Sequence, residues 1–110
     1  MVVQLSTLST FGGSNMNEKQ IEQALVRKVK AMGGIALKFV SPGFDGMPDR
    51  LVLFPGGHIA FVEVKAPGKK PRAIQTARHE MLRRMGFPVY VLDGPEQIEK
   101  IITEIGGDAL

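Results

Sequence analysis

Three segments of the chain repeat apolar residues every three or four positions, which is the spacing of one face of an α-helix. The first follows Asn17 and Gln20, a pair spaced like a capping box, and stops at Gly33-Gly34. The second follows Pro71, which suits the first turn of a helix, and the third is the segment PEQIEKIITEIG. The predicted inward-facing residues of the three helices are Ile21, Leu25, Val29 and Met32; Ile74, Ala77, Met81, Leu82 and Met85; and Ile98, Ile101, Ile102 and Ile105.

Four short segments rich in branched and aromatic residues predict β-strands: IALKFV, RLVLF, HIAFVEVK and PVYVLD. Pro55-Gly56-Gly57 separates the second from the third, which indicates a hairpin. The second helix lies between the third and fourth strands, and a strand–helix–strand crossover favours a parallel pair. The order α-β-β-β-α-β-α therefore predicts an α/β fold with a mixed sheet flanked by helices.

The length of 110 residues limits the chain to one domain, which we expect to span residues 16–110. Residues 1–15 lack the basic and apolar stretches of a signal peptide, and we expect a poorly ordered leader or expression-derived residues there. The absence of cysteine excludes disulfides and fits a reducing compartment. No apolar run approaches the roughly 20 residues that span a bilayer, so we expect no membrane partner.

The positive charge of the chain is concentrated after the third strand. Seven of its 14 Lys and Arg residues fall between positions 65 and 84, where Glu80 is the single acid. Such a local field suits a polyanion such as nucleic acid, and a solvated helix face is the alternative. These residues are Lys65, Lys69, Lys70, Arg72, Arg78, Arg83 and Arg84.

Two carboxylates and a lysine are expected to meet at one edge of the sheet. Glu63 and Lys65 share one face of the third strand, and the hairpin places Asp49, which follows Pro48, beside them. Two close carboxylates repel each other, and a cation relieves the repulsion. Their oxygen atoms favour Mg²⁺ before Ca²⁺, and such an ion activates water and polarises a phosphoryl group. A plain salt bridge between Lys65 and either carboxylate is the alternative.

This set of residues resembles the PD-(D/E)XK nuclease pattern, and the wider sequence resembles its VRR-NUC branch, particularly the small stand-alone phage forms. The resembling segments are NEKQIEQALVRKVKAMGG, GMPDRLVLFPGG, FVEVKAPGKKPRAIQ and MGFPVYVLD. The resemblance implies a restriction-endonuclease-like core, with the metal held by Asp49, Glu63 and the backbone carbonyl of Val64. It also implies that Lys65 is the catalytic lysine and that Gln75 is the family's glutamine, bonded to a site carboxylate or to phosphate.

The family also uses a glutamate on the first helix, and two residues of this chain compete for that role. Glu18 and Glu22 are one turn apart and both border the apolar stripe. The position of Glu18 fits the family pattern better, so we expect it to be the catalytic and metal-binding acid, with Glu22 as the alternative. Either residue could instead be an ordinary acid favoured by the helix dipole.

The resemblance implies a Mg²⁺-dependent, structure-specific DNA endonuclease, with Mn²⁺ as a substitute ion and no organic cofactor. A phage or bacterial protein of this kind would act in the cytoplasm of the host cell. Because so small a domain covers little duplex, we expect a two-fold homodimer that cuts four-way (Holliday) junctions, and the isoleucines of the third helix are candidates for its interface. The expected DNA-binding residues are Lys38, Lys69, Lys70, Arg72 and Arg78.

The alternative function is a non-catalytic nucleic-acid-binding module or scaffold subunit with a nuclease fold, and an RNA substrate would keep the same chemistry. His79 lies on the basic helix, and we expect it to be a surface residue.

Overall fold

A computed structural model of the protein describes residues 16–106, so the leader expected at residues 1–15 lies outside the described part. The observed order of helices and strands is the predicted one. None of the helices within residues 16–106 has the length and apolar content needed to cross a bilayer. The elements are α1 (Glu18–Ala31), β1 (Ile35–Lys38), β2 (Arg50–Phe54), β3 (His58–Val64), α2 (Ala73–Arg84), β4 (Val89–Leu92), a 3₁₀ turn (Pro95–Gln97) and α3 (Ile98–Ile105).

The four strands form one mixed sheet in the order β1-β2-β3-β4. The first three strands are antiparallel, and β4 is parallel to β3, as the crossover through α2 predicts. In the β2–β3 hairpin Arg50 lies opposite Val62. Asp49 and Glu63 occupy the next position along the two strands, so the hairpin register makes them neighbours.

One face of the sheet carries the main core, which α1 and α3 cover. Val52, Ala60, Val62 and Val64 point toward this face and are buried. The helix residues buried against them are Ile21, Leu25, Val29, Ile98, Ile101, Ile102 and Ile105. All four isoleucines of α3 therefore belong to the core, and the expectation that they offer a dimer interface is wrong.

The other face of the sheet carries a smaller apolar cluster beneath α2. Phe61 lies at its centre and packs edge to face against Phe39 and Phe87, with ring centroids 5.7 and 6.2 Å away. Leu82 of α2 and Val89 of β4 are buried beside it. Glu63 follows Phe61 on this same face, so the helix that covers the cluster also covers a carboxyl group.

The predicted inward face of α2 is correct at Leu82 and wrong at Ala77 and Met85. The buried residues of the helix are Gln75, His79 and Leu82, whereas Ala77 and Met85 are exposed. A buried carboxyl group needs hydrogen-bonding partners. The helix is turned so that two polar side chains, rather than its apolar stripe, meet Glu63.

Several element ends also differ from the predicted ones by one to three residues, and two of them are at β1 and α2. β1 stops at Lys38, although the Phe39 N–H still donates to the Asp49 carbonyl at 2.8 Å and continues the ladder by one bond. α2 begins at Ala73, so Pro71 precedes the helix instead of lying in its first turn. These differences leave the sheet and the order of elements unchanged.

Candidate active site

The loop before β2 is packed tightly enough to fix where Asp49 lies. Gly46 has φ +90°, and a Cβ atom there would lie 2.8 Å from the Ile74 carbonyl oxygen at the start of α2. Only glycine adopts this conformation in so close an approach without strain. Pro48 is buried just beyond it, and Asp49 Oδ2 accepts the Val64 N–H at 2.8 Å. The carboxylate is thereby bound to the backbone of β3 beside Glu63.

Glu63 is the centre of the site and is only 1% exposed. Gln75 Nε2 donates to Glu63 Oε2 at 3.1 Å, and Lys65 Nζ lies 3.8 Å from the same oxygen. The other oxygen, Oε1, lies 3.3 Å from His79 Nε2. The structure thus brings Asp49, Glu63, Lys65 and Gln75 together, with His79 as a fifth member.

The environment of Glu63 favours its neutral form. Burial is the main cause that raises its pKa to about 8, and a hydrogen bond with Asp49 and the charge of Asp49 act in the same direction. Lys65 opposes the shift through its positive charge. The charge of Lys65 therefore offsets only part of the combined effect of burial and Asp49 on Glu63.

The chemistry of these oxygen atoms fits a divalent cation. Mg²⁺ is commonly held by one or two carboxylates, keeps several of its waters, and takes further ligands from substrate phosphates. Asp49 and Glu63 supply two such carboxylates, and the positive charge of the ion would offset their repulsion. Among residues 16–106 no three His, Cys, Asp or Glu side chains are grouped as metal ligands.

The two acids of α1 have different surroundings. Glu22 accepts a hydrogen bond from Arg50 Nε at 2.8 Å, and Arg50 also donates to the Ala36 carbonyl, so Glu22 belongs to an ion pair between α1 and the sheet. Glu18 is exposed at the start of α1, and its charge adds to the causes that raise the pKa of Glu63. The choice of Glu18 before Glu22 as the helix acid of the site stays a prediction.

The expected DNA-binding residues lie on two sides of the molecule. Lys69, Lys70 and Arg72 are exposed in the segment between β3 and α2, beside the site. Lys38 of β1 lies directly opposite Arg50 of β2 in the sheet. Its side chain is therefore on the same face of the sheet as Arg50, and not on the face of Asp49 and Glu63. Lys38 is therefore less well placed than the segment after β3 to contact a substrate at the carboxylates.

Arg78 is engaged with the loop that leads to Asp49. Its Nε donates to the Asp45 carbonyl at 2.8 Å, and its guanidinium carbon lies 3.9 Å from the centroid of the Phe44 ring. A cleft of about 670 Å³ opens here, lined by Gly43, Asp45, Gly46, Arg72, Ile74 and Arg78. Arg78 thus holds the Asp45 loop against α2. The side chains of Arg72 and Arg78 are the two cationic groups that line the cleft.

His79 is the site residue that sequence reasoning missed. We expected a surface residue, but its side chain is 2% exposed and faces Glu63. Burial is the main cause that lowers its pKa, and the positive charge of Arg83 acts in the same direction. The signal in the sequence was its spacing from Gln75 and Leu82, which places all three on one helical face.

Comparison with known proteins identifies the class of this chain. No protein-family model matches it. It is 52% identical over 81 residues to "Putative nuclease p44" of Acyrthosiphon pisum secondary endosymbiont phage 1, a match that covers 74% of this chain and 87% of that protein. A solved structure described as "VRR_NUC domain" is 34% identical with a TM-score of 0.73, over 78% of this chain and 94% of that one.

Fold and sequence similarity together define the protein as a nuclease. More narrowly, the chain belongs to the VRR-NUC family, as its sequence motifs predicted. The predicted α/β architecture with a mixed sheet is likewise that of the solved relative.

The buried carboxyl group makes stability dependent on pH. In metal-free buffer we expect the free energy of unfolding to fall between pH 6.5 and about 8, by at most about 1.4 kcal/mol per pH unit. In this range the unfolded chain has already ionised Glu63, whose ordinary pKa is 4.5, whereas the folded protein still holds the proton. The lowered pKa of His79 affects stability only below 6.5, where it acts in the opposite sense.

Urea unfolding in EDTA at several pH values measures this slope. The variant Glu63→Gln is the control, because it removes the titrating group and should give a nearly flat profile over the same range. A wild-type profile as flat as that of the variant would mean that Glu63 is ionised in the folded protein at neutral pH.

Proposed function

We propose that this protein is a Mg²⁺-dependent endonuclease that hydrolyses phosphodiester bonds in branched DNA, including four-way junctions, as a two-fold dimer. The observation that carries this proposal is the pair of adjacent carboxylates, one of them buried, with a lysine at the same strand end. Mn²⁺ would substitute for Mg²⁺, since both prefer oxygen ligands. The phage relative is named as a nuclease, and we propose that this chain acts on DNA in the cytoplasm of a host cell.

Each residue of the site would have a separate task in hydrolysis. Asp49 and Glu63 would hold the ion together with the Val64 carbonyl and, on the side of α1, Glu18. The bound ion supplies a polarised phosphoryl oxygen and a water of lowered pKa. Lys65, which reaches the rim of the site, would orient the attacking water or stabilise the negative charge that develops on the phosphate.

The basic segment between β3 and α2 would hold the DNA backbone. Lys69, Lys70 and Arg72 are exposed in the segment that follows Glu63 and Lys65 along the chain. Contacts of this kind to phosphate give affinity without sequence readout. We therefore propose that the enzyme selects the shape of its substrate rather than its sequence.

Replacing Lys69, Lys70 and Arg72 together by alanine is expected to weaken DNA binding and flatten its dependence on salt. Each lost phosphate contact lowers the slope of log K against log salt by about 0.9, so the slope should fall by about 2–3. Fluorescence anisotropy of the junction across a salt series, in Ca²⁺ or EDTA, measures it. The matched control replaces Arg27, Lys30 and Lys100, which are exposed on α1 and α3. If the two triple variants have the same slope, the basic segment is not the DNA contact.

Symmetric cutting of a junction requires two active sites, which a two-fold dimer provides. Exposed apolar side chains within residues 16–106 are concentrated on the edge strand β1 and just after it, at Ile35, Leu37 and Val40. An apolar sheet edge of this kind suits pairing with the same edge of a second copy. Sedimentation at micromolar concentration should show twice the chain mass of 12.0 kDa, and a monomer would contradict the dimer.

Cleavage of a panel of labelled substrates tests the proposed activity. The panel contains a four-way junction, a flap, a duplex, single-stranded DNA and an RNA hairpin, each with Mg²⁺, Mn²⁺ or EDTA. We expect ion-dependent cutting with the junction ranked first. If only the RNA hairpin is cut, the substrate is RNA and not DNA. Tight binding without cutting in either ion would favour a non-catalytic module with a nuclease fold.

A further inference from the structure

His79 is buried beside a catalytic carboxylate, although neither the metal set nor the basic surface requires it. Its side chain is 2% exposed, and its Nε2 lies 3.3 Å from Glu63 Oε1. It lies on the same buried face of α2 as Leu82, which belongs to the small apolar cluster beneath the helix. Burying an apolar side chain at this position would cost less desolvation free energy than burying an imidazole. The imidazole is therefore expected to have a role that an apolar side chain cannot fill.

Gln75 shows what α2 does at this carboxylate. Its Oε1 accepts the Arg72 N–H at 2.8 Å, so its amide nitrogen must face Glu63 Oε2, 3.1 Å away. His79 comes one helical turn later and lies against Oε1, the second oxygen of the same carboxyl group. The two oxygens of Glu63 are thus each contacted by a different residue of one rigid helix.

We propose that His79 is a positioning residue, which acts with Gln75 to fix the plane of the Glu63 carboxylate for metal binding. The inference rests on the proposed function, since it assumes that Glu63 holds a divalent cation. The final torsion of a glutamate side chain is broad, and one hydrogen bond to one oxygen leaves it free to turn. Contacts at both oxygens restrict that rotation, which reduces the entropy lost when the ion binds.

The proposal also determines which nitrogen of His79 carries the proton. An ionised carboxylate only accepts hydrogen bonds, so Nε2 must donate whenever Glu63 holds the ion. Neutral His79 therefore exists as the Nε2–H tautomer in the metal-bound protein. A histidine that merely fills space has no such requirement.

Calorimetric titration with Mn²⁺, without DNA, tests the proposal on three variants. His79→Leu keeps the volume but removes the donor, and we expect it to weaken Mn²⁺ binding roughly 10–100-fold. His79→Gln can place an amide N–H near the position of Nε2, and its affinity should stay within about 3-fold of wild type. His58→Leu, at the remote hairpin, is the matched control and should change nothing. Thermal unfolding in EDTA shows whether each variant is folded.

The outcomes separate this inference from the proposed function. If wild type binds Mn²⁺ and His79→Leu binds it equally well, the positioning role is wrong and the function stands. If wild type itself binds no Mn²⁺, the metal-dependent function is wrong, and the positioning role is wrong with it.

A measurement on wild type alone keeps the test independent of how the variants fold. Long-range ¹H–¹⁵N spectra report imidazole tautomers, and the chain has two histidines, which His58→Gln distinguishes. In saturating Mg²⁺ we expect His79 as the Nε2–H tautomer. The Nδ1–H tautomer in Mg²⁺ would leave no donor toward Glu63 and would overturn the proposal.

Discussion

Glu63→Gln is expected to lower the rate of junction cleavage by at least roughly 10³-fold while the DNA still binds. The substitution removes one of the two carboxylates that would hold the ion, and a neutral amide is a poor ligand for Mg²⁺. DNA affinity should change little, because Lys69, Lys70 and Arg72 lie outside the carboxylate pair. Single-turnover cleavage and anisotropy, both in Mg²⁺, measure the two quantities on one preparation.

The same variant should not unfold the protein. With a pKa of about 8, Glu63 is largely protonated at neutral pH in the absence of an ion, and glutamine has nearly the shape of the protonated acid. Glu80→Gln is the matched control, since Glu80 is an acid of α2 whose side chain is exposed to solvent. If Glu63→Gln cuts as fast as Glu80→Gln does, Glu63 is not a metal ligand. Equal loss of cutting and binding would mean that the site is misplaced.

Lys65→Met is expected to lower turnover by about 10²–10³-fold and to change Mn²⁺ affinity much less. The ammonium lies 3.8 Å from Glu63 Oε2 and reaches the rim of the site, where charge would develop on the phosphate during hydrolysis. Methionine keeps the length and most of the packing of the stem but removes the charge. Turnover at saturating DNA and Mn²⁺ titration separate the two effects.

Lys69→Met is the control for this prediction, since it removes an equivalent charge from the exposed segment. It should affect binding at high salt and leave turnover at saturating DNA close to that of wild type. If Lys65→Met instead loses Mn²⁺ affinity as strongly as turnover, the lysine acts as an ion-pair partner of Glu63 rather than on the phosphate.

The pattern of residues along the strands was sufficient to predict the sheet and the register of its hairpin. Alternation along β3 correctly separates Ala60, Val62 and Val64 from Phe61 and Glu63, and the hairpin turn sets the register that pairs Asp49 with Glu63. Both features are local, because the alternation of side chains along a strand and the short turn of a hairpin depend on about 16 consecutive residues. The parallel β4 follows from the handedness of the crossover.

The face of α2 could not be predicted from apolar periodicity. The pattern counts Ala77 and Met85 as inward residues, yet both are exposed, and Gln75 and His79 occupy the buried face instead. Gln75 and His79 are polar residues whose burial depends on Glu63, a partner 12 and 16 positions away. A helix that covers a functional site is therefore expected to depart from the apolar rule at the positions that touch the site.

The ambiguity between the two acids of α1 has a similar origin. Glu22 is paired with Arg50, 28 positions later, and spacing within the helix carries no information about that contact. The capping box at Asn17 and Gln20, by contrast, could be predicted from the sequence, because its two hydrogen bonds join residues three positions apart. Local interactions were thus predicted, and those between distant segments required the structure.

A crystal soaked in Mn²⁺ and measured at the manganese absorption edge would locate the ion itself. We predict one anomalous peak per chain within bonding distance of Asp49 and Glu63, with the Val64 carbonyl among its ligands, and no such peak in Glu63→Gln. A peak elsewhere, or none with Asp49 and Glu63 well ordered, would contradict the proposal that these two carboxylates form the metal site of this nuclease.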